Sequence, residues 1–360
     1  MSTTISQCPM SYAIFAVALG CCLALVATGC VSPGPRPIPS PTATLGAWDP
    51  FVLNTRLGRG VNLGNALEAP KEGQWGVTLR EKYFELIRQA GFQSVRIPIR
   101  WSAHAAKDAP YRIEPAFFER VDWAIEQAFA RGLLAIINVH HYEELTQDPE
   151  GHRQRFLALW EQIADHYRNH PPELLFELLN EPSDNLTPEM WNDLLAEALA
   201  VVRRSNPQRS VIVGPGNWNN ILALDHLQLP ADDHHLIATV HYYEPFHFTH
   251  QGAEWVQGSQ AWLGTRWQGT RAEQKAIERD LDIAAAWAKK NGPPLFLGEF
   301  GAYSKADMAS RVAWTAYVAR QAEARGMSWA YWEFCAGFGV YDRVREQWNQ
   351  DLLRALIPQD

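Results

Sequence analysis

The stretch LLFELLNEP (Leu174–Pro182) runs at strand length through Leu179 and then opens into a polar Asn180-Glu181-Pro182 corner. The same form recurs along the chain. Short apolar runs predict strands at GVNL (Gly60–Leu63), SVRI (Ser94–Ile97), LAIINV (Leu134–Val139), LLFELL (Leu174–Leu179), VIV (Val211–Val213), IATV (Ile237–Val240), LFLG (Leu295–Gly298) and WAYW (Trp329–Trp332). Polar–apolar periodic stretches between them predict helices over residues 79–90, 115–131, 152–169, 188–204, 271–291, 306–325 and 347–356. Gly91, Gly132, Gly292 and Gly326 stand just past four of these helices, where glycine accepts a left-handed turn, and Pro115 and Pro188 stand in first turns. Eight strands alternating with helices predict an α/β fold, a single (β/α)8 TIM barrel, rather than a sandwich or an open sheet with fewer strands.

The composition fits one such domain. The 360 residues are 47% hydrophobic and 20% charged, a globular balance that excludes a largely disordered chain. The 32 basic and 40 acidic side chains leave a net charge of −8. A nucleic-acid partner would call for a basic face, so a neutral ligand is the more natural one. The 15 tryptophans either fill a core or offer flat faces to sugar rings.

Tyr12–Thr28 (YAIFAVALGCCLALVAT) is apolar and uncharged, short for a membrane-spanning helix and of the length of a signal h-region. With Ala27-Thr28-Gly29-Cys30 at its end, residues 1–30 resemble a lipoprotein-type signal segment, in which Cys30 is lipidated and becomes the new N-terminus. Simple secretion and an uncleaved anchor are the alternatives. Export implies an oxidising compartment, yet only Cys335 would remain in the folded domain, with no disulfide partner. Residues 31–50 are Pro-rich and predict a semi-rigid spacer, leaving residues 51–360 as the barrel. Any contact with a membrane would pass through the lipid alone.

A barrel of this kind carries its chemistry at the C-terminal ends of its strands. Those ends hold Asn62, Asn65 and Glu68; Arg96; His140 and His141; Asn180 and Glu181; Asn217 and Trp218; His241 and Tyr243; Glu299; and Trp332 and Glu333. Burying so many polar groups without a task would cost stability. Glu181 follows the fourth strand and Glu299 the seventh, nearly opposite across the mouth. Two such carboxyls can cleave a glycosidic bond, one protonating the leaving oxygen and one attacking the anomeric carbon. Arg96 and Tyr243 are placed to hold Glu299 as an anion and lower its pKa, whereas burial and the like charge of Glu299 would raise Glu181. That assigns Glu299 as nucleophile and Glu181 as acid and then base, with His241 orienting a proton near Glu181.

The segments RIPIRW (Arg96–Trp101), INVHHYEE (Ile137–Glu144), LNEP (Leu179–Pro182), HYYEPFHFTHQGAEW (His241–Trp255), GEFGAY (Gly298–Tyr303) and AYWEF (Ala330–Phe334), in this order, resemble glycoside hydrolase family 5, a retaining family of β/α barrels. GNALEAPKEGQWG (Gly64–Gly76) is similar to a branch of bacterial endoglucanases, some members of which also cut mannan. The resemblance implies the same two catalytic glutamates and a supporting shell of Arg96, His140, Asn180, His241, Tyr243 and Trp332. It places Asn65, Glu68, His141, His250, Trp255 and Glu333 along the cleft. Trp218 is a further candidate for a sugar subsite. The activity it implies is retaining endo-β-1,4-glucan hydrolysis, with mixed-linkage glucan, glucomannan and mannan as companion substrates. No cofactor is implied, and a monomer is expected.

Two rival readings remain. A metal-dependent hydrolase would need a cluster of ligands, but His140 and His141 are adjacent on a strand and point apart, and no metal is expected. A non-catalytic carbohydrate-binding barrel would be expected to lack one of the two glutamates, and this chain carries both.

Overall fold

The computed structural model describes residues 46–358. The expected signal segment 1–30, with Cys30, and most of the 31–50 spacer lie outside the described residues. Eight parallel strands close into a barrel in sequence order: β1 Arg59–Asn62, β2 Ser94–Ile97, β3 Leu134–Asn138, β4 Leu174–Glu177, β5 Val211–Val213, β6 Leu236–Tyr242, β7 Leu295–Phe300 and β8 Ser328–Tyr331. β1 pairs with both β2 and β8, which is the closure. The expected TIM barrel is therefore the fold, and each expected strand is present. β6 and β7 run two residues further than expected, so Glu299 lies inside β7 rather than beyond it.

The helices that cover the barrel follow the periodic stretches, among them Pro115–Ala130, Pro188–Arg203 and Arg271–Asn291. The last of these starts in a capping box, with Thr270 and Glu273 satisfying each other's backbone N–H. Its inner face buries Ile277, Leu281, Ala284 and Trp287. Between β5 and β6 the covering element is only a short 3-10 turn, Ile221–His226. The final helix, Gln350–Leu356, begins later than expected because Asn349 caps it, and a small hairpin pairs Tyr341–Asp342 with Gln347–Trp348 ahead of it.

Five tryptophans are fully buried between strands and helices, and the indole N–H groups of four of them have a common use. Trp101 donates to the Asn138 carbonyl, Trp160 to Leu178, Trp191 to Gly214 and Trp314 to Glu244, at 2.9–3.0 Å. Those carbonyls sit at or just past the ends of β3, β4, β5 and β6. Each indole thus buries a large apolar surface and ties down one loop at the end of the barrel where Glu181 and Glu299 lie. Trp329 donates to Glu323 instead.

The helix that precedes β1 was not expected. Pro50–Leu57 was assigned in part to the spacer, but Asp49 accepts from the Phe51 and Val52 N–H groups and starts a helix there. Leu53 and Leu57 are fully buried against Leu134, Ile136, Leu175, Ile212, Ile237, Phe296 and Ala330. The open N-terminal end of a barrel exposes apolar side chains, and this helix plugs it. Asn54 ties the plug in place, donating to the Leu295 carbonyl at 2.9 Å and accepting from Ser328 at 2.6 Å. Just before it, Trp48 lies 5.0 Å from the Arg209 guanidinium, so packed residues begin a little earlier than residue 51. Leu53→Ala is expected to lower the unfolding free energy by about 2–5 kcal/mol while leaving turnover per folded molecule unchanged. Urea denaturation with and without the substitution measures it, and coincident midpoints would contradict the plug.

Candidate active site

Arg96 projects from β2 into the upper barrel and is fully buried. Its Nε and Nη2 donate to the two carboxylate oxygens of Glu177 at 2.6 and 2.8 Å. Nη1 donates to Glu299 Oε1 at 2.7 Å and to Asn62 Oδ1 at 2.9 Å, and Nη2 also to Asn180 Oδ1 at 2.7 Å. Four strand ends, those of β1, β2, β4 and β7, therefore meet on one guanidinium. Asn180, with its Oδ1 so engaged, has its amide N–H groups left for a ligand. Glu177 was not singled out from the sequence. The signal was there: an acidic residue inside the apolar run LLFELL is seldom buried unpaired, and Arg96 in the β2 run, two strands away, is its counter-charge.

Glu299 receives a second donor, the Tyr243 hydroxyl, on Oε2 at 2.8 Å. Burial and the charges of Glu299 and Glu181 push that hydroxyl well above its ordinary pKa, so it remains a donor. The expected fall in the Glu299 pKa is not what the structure gives. Burial raises it, and the His241, Arg96 and Tyr243 contacts limit that rise. Glu181 is raised to about 7, chiefly by burial, with the like charge of Glu177 adding to it and Arg96 opposing. The like charge of Glu299 acts as expected, since the repulsion between Glu181 and Glu299 is mutual, and Glu177 is a further like charge beside Glu181. The asymmetry between the two acids survives in geometry: Glu299 accepts from a cation and a phenol, and Glu181 touches neither.

Glu181 Oε1 lies 2.7 Å from His241 Nδ1, whose distance to Glu299 Oε2 is 3.7 Å. The alignment comes from a bulge in the β6–β7 ladder: Val240 pairs with Leu297 and His241 with Glu299, so Gly298 on β7 is the extra residue and Glu299 stands opposite His241. Burial pushes His241 down to about 4, leaving the ring neutral. Asn219 Nδ2 lies 3.3 Å from Nε2, which makes Nε2 the acceptor and Nδ1 the N–H. The Glu181 backbone has φ 48°, a left-handed conformation costly for a side-chain-bearing residue. It is held from both sides, by Asn180 N–H on the Val139 carbonyl at 2.9 Å and Trp218 N–H on the Pro182 carbonyl at 3.1 Å. One carboxylate oxygen of Glu181 and one of Glu299 lie within 4.8 Å of each other.

The two glutamates sit where two lobes of one groove meet. A lobe of about 1140 Å³ runs past Asn65, Trp75, His140, Asn180, Trp332 and the 335–345 loop. Another of about 1050 Å³ runs past Asn217, Trp218, Leu222, Phe246 and Trp267. His141, Glu181, Tyr243, His250 and Trp255 border both. Trp332 stacks parallel to His140 at 5.8 Å, and Gly301 permits this placement: a Cβ there would meet the Trp332 carbonyl at 2.1 Å. His250 stacks on Phe246 at 4.1 Å and stands edge-on to Tyr243. Trp218 and Trp255 are 51% and 61% exposed, flat faces open to the groove. Trp75, edge-on to His141 at 5.3 Å, is a groove tryptophan that sequence reasoning passed over. Nothing local in GNALEAPKEGQWG separates a rim tryptophan from a core one.

Two expected cleft residues hold loops, and of these Glu68 borders the groove while Glu333 does not. Glu333 is wholly buried and does not border the groove. Its oxygens accept from the Cys335, Ala336 and Phe338 N–H groups, at 2.7, 2.8 and 3.1 Å, and fold the 335–338 loop over the barrel. Glu68 touches the groove floor but is also buried, accepting from the Asn65 and Ala66 N–H groups. Asn65 itself reaches the groove from a left-handed backbone. Among the described residues, metal-donor atoms come together at Glu181, His241 and Glu299. The Arg96 cation beside that trio opposes a second cation, and the arrangement suits proton transfer and nucleophilic attack at carbon.

The family model for Cellulase (glycosyl hydrolase family 5) matches residues 58–337. Endoglucanase H of Acetivibrio thermocellus is 37% identical over 323 residues, 88% of this chain and 34% of that protein. Cellulase/esterase CelE of the same organism is 31% identical, over 76% of this chain and 35% of that protein. The chain thus spans about a third of the length of these two relatives. The solved structure of Thermotoga maritima Cel5A in complex with mannotriose is 55% identical with a TM-score of 0.85, covering 86% of this chain and 100% of that one, and the complex with cellobiose gives the same values. The fold and these comparisons define a β/α-barrel glycoside hydrolase. The chain belongs to the cellulase family, glycosyl hydrolase family 5.

The buried acids make stability depend on pH. Burial lifts Glu68 to about 8 and Glu333 to about 7, from ordinary values near 4.5. Because the folded values are the higher ones, these groups contribute stability that is full below about 4.5 and lost as pH rises through 7 to 8. Unfolding midpoints are expected to fall between pH 5 and 8, and Glu68→Gln to flatten that fall by up to one proton. Equal slopes for the two proteins would refute a neutral Glu68.

Proposed function

We propose that this chain is a retaining endo-β-1,4-glucanase in which Glu299 is the nucleophile and Glu181 the acid and then base. The observation that carries this is the pair of carboxyls whose nearest oxygens lie within 4.8 Å, with Arg96 and Tyr243 on Glu299 alone. Retaining enzymes hold their carboxyl groups about 5–5.5 Å apart, whereas inverting ones leave room for a water at about 6.5–9.5 Å. Glu299 attacks the anomeric carbon as Glu181 protonates the departing oxygen. A glycosyl ester forms on Glu299. Glu181, now ionised, takes a proton from water, which attacks the same carbon and restores the β-configuration. His241 occupies Oε1 of Glu181, so Oε2 carries the transferred proton. Asn180 offers its amide to the sugar 2-hydroxyl, and Trp332 lies under the ring at the point of cleavage, with His140 behind it.

Two lobes meeting at Glu181 let a chain extend to both sides of the cut, which supports internal cleavage. The mannotriose and cellobiose complexes of the Thermotoga maritima protein support a second reading beside the first, that glucomannan and mannan are also accepted. Trp218, Trp255, Asn65, His141 and His250 would contact sugars along the groove. For the part of the chain before residue 46, the reading remains export by residues 1–30, lipidation at Cys30 and a spacer from residue 31. No described helix is long and apolar enough to cross a membrane.

Glu299→Gln is expected to lower kcat on carboxymethyl cellulose by more than about 10⁴-fold with oligosaccharide binding kept; near-normal turnover would remove the nucleophile. The acid form of Glu181 starts the reaction, so kcat/KM should decline as pH rises through about 7. Glu181→Ala should abolish that alkaline limb on a dinitrophenyl cellobioside, whose leaving group needs no proton. In a bacterial host, Cys30→Ser should move the enzyme from the membrane fraction to the soluble fraction; an unchanged distribution would argue against the lipid.

A further inference from the structure

Glu177 is a fully buried carboxylate that the cleavage steps above leave without a role. It ends β4, four residues before Glu181, and does not border the groove. What it does touch is the arginine of the nucleophile. A guanidinium has five N–H donors. In Arg96 all five are engaged: Nε and one of Nη2 on Glu177, the other of Nη2 on Asn180, and the pair on Nη1 divided between Asn62 and Glu299. The Glu177 contact is the two-pronged one, with both oxygens at 2.6 and 2.8 Å, and Glu299 receives a single prong.

Resting on the assignment of Glu299 as nucleophile, we propose that Glu177 is a positioning residue that fixes Arg96 in its fork and shares its charge, so that Glu299 keeps one directed hydrogen bond and enough electron density to attack. Were Glu177 uncharged, the guanidinium would belong to Glu299 alone and would damp its nucleophilicity. The reaction itself supplies a second reason. When Glu299 bonds to the anomeric carbon its charge is lost. Arg96 would then be an unpaired buried cation, which is strongly unfavourable. With Glu177 present, the ester forms beside a neutral Arg96–Glu177 pair.

The groups facing this pair from the neighbouring strands are Asn138 and His140 on and after β3, Glu181 after β4, His241 and Tyr243 on and after β6, and Glu299 on β7. Burial holds both histidines neutral and Tyr243 protonated. The charges that respond to Glu177 are therefore Arg96, Glu299 and Glu181, and the charge of Glu177 also supports the high value at Glu181.

The test is Glu177→Gln in the full chain, assayed on a soluble β-1,4-glucan from pH 4 to 9 alongside its thermal midpoint. Removing the charge should lower kcat by about tenfold or more with KM changed less than threefold. It should also move both limbs of the kcat/KM profile to lower pH by about one unit. A fall in kcat with both limbs unmoved would mean a merely structural role and overturn the proposal, as would kcat within twofold of the parent. Glu177→Asp keeps the charge but is one methylene too short for the fork. It should keep the limbs and lose kcat, and it decides the matter if the glutamine variant does not fold: parental kcat in Glu177→Asp overturns the proposal. The nucleophile is checked separately by Glu299→Ala with added azide. An α-glycosyl azide product supports Glu299, and its absence would sink that assignment whatever Glu177 does.

Discussion

Arg96 has five N–H groups, and the barrel top supplies five acceptors for them from four residues on three other strands. This places a cation where no water can solvate it, which is tolerable only because two carboxylates and two amide oxygens replace the water. The constraint acts in both directions. The strands cannot slide without breaking the array, and the array cannot open without stranding a buried charge. The position of Glu299, the orientation of Asn180 and the charge environment of Glu181 all follow from it.

Around that junction the chain departs from regular geometry where the site needs it to. A bulge at Gly298 in β7 brings Glu299 level with His241, which also meets Glu181. Glu181, Asn65 and His141 each sit in a left-handed backbone conformation just past a strand, the kind of local strain that persists only where neighbours over-determine it. Those neighbours are visible. Four indoles hold the loops after β3 to β6, Glu68 and Glu333 hold those after β1 and β8, and the Pro50–Leu57 helix closes the far end. Many tryptophans thus serve the core, while Trp75, Trp218 and Trp255 keep exposed faces in the groove.

The strand runs, the barrel and the two glutamates were legible because their signals are local. An apolar run of strand length, a glycine after a helix and a polar residue at a strand end can each be recognised without knowing what lies across the molecule. The Pro50–Leu57 helix was not legible, since a proline-rich stretch precedes it and its apolar face has meaning only against the barrel floor. Glu177 was passed over because its partner lies 81 residues away. Glu333 was expected along the cleft from its place at the end of β8 and from the resemblance, and one residue along the chain decides which side of the loop a carboxylate faces.

The sequence by itself determined the alternation that builds a closed eight-stranded barrel and the residue types at its mouth, because periodicity and strand length depend on neighbours a few positions apart. Only the tertiary structure decided which of those residues touch. It decided that burial outweighs Arg96 at Glu299, that Glu177 adds a second like charge beside Glu181, and that two lobes meet at the acids. Desolvation and charge–charge coupling depend on distance in space and on the exclusion of water, and neither quantity is written along the chain.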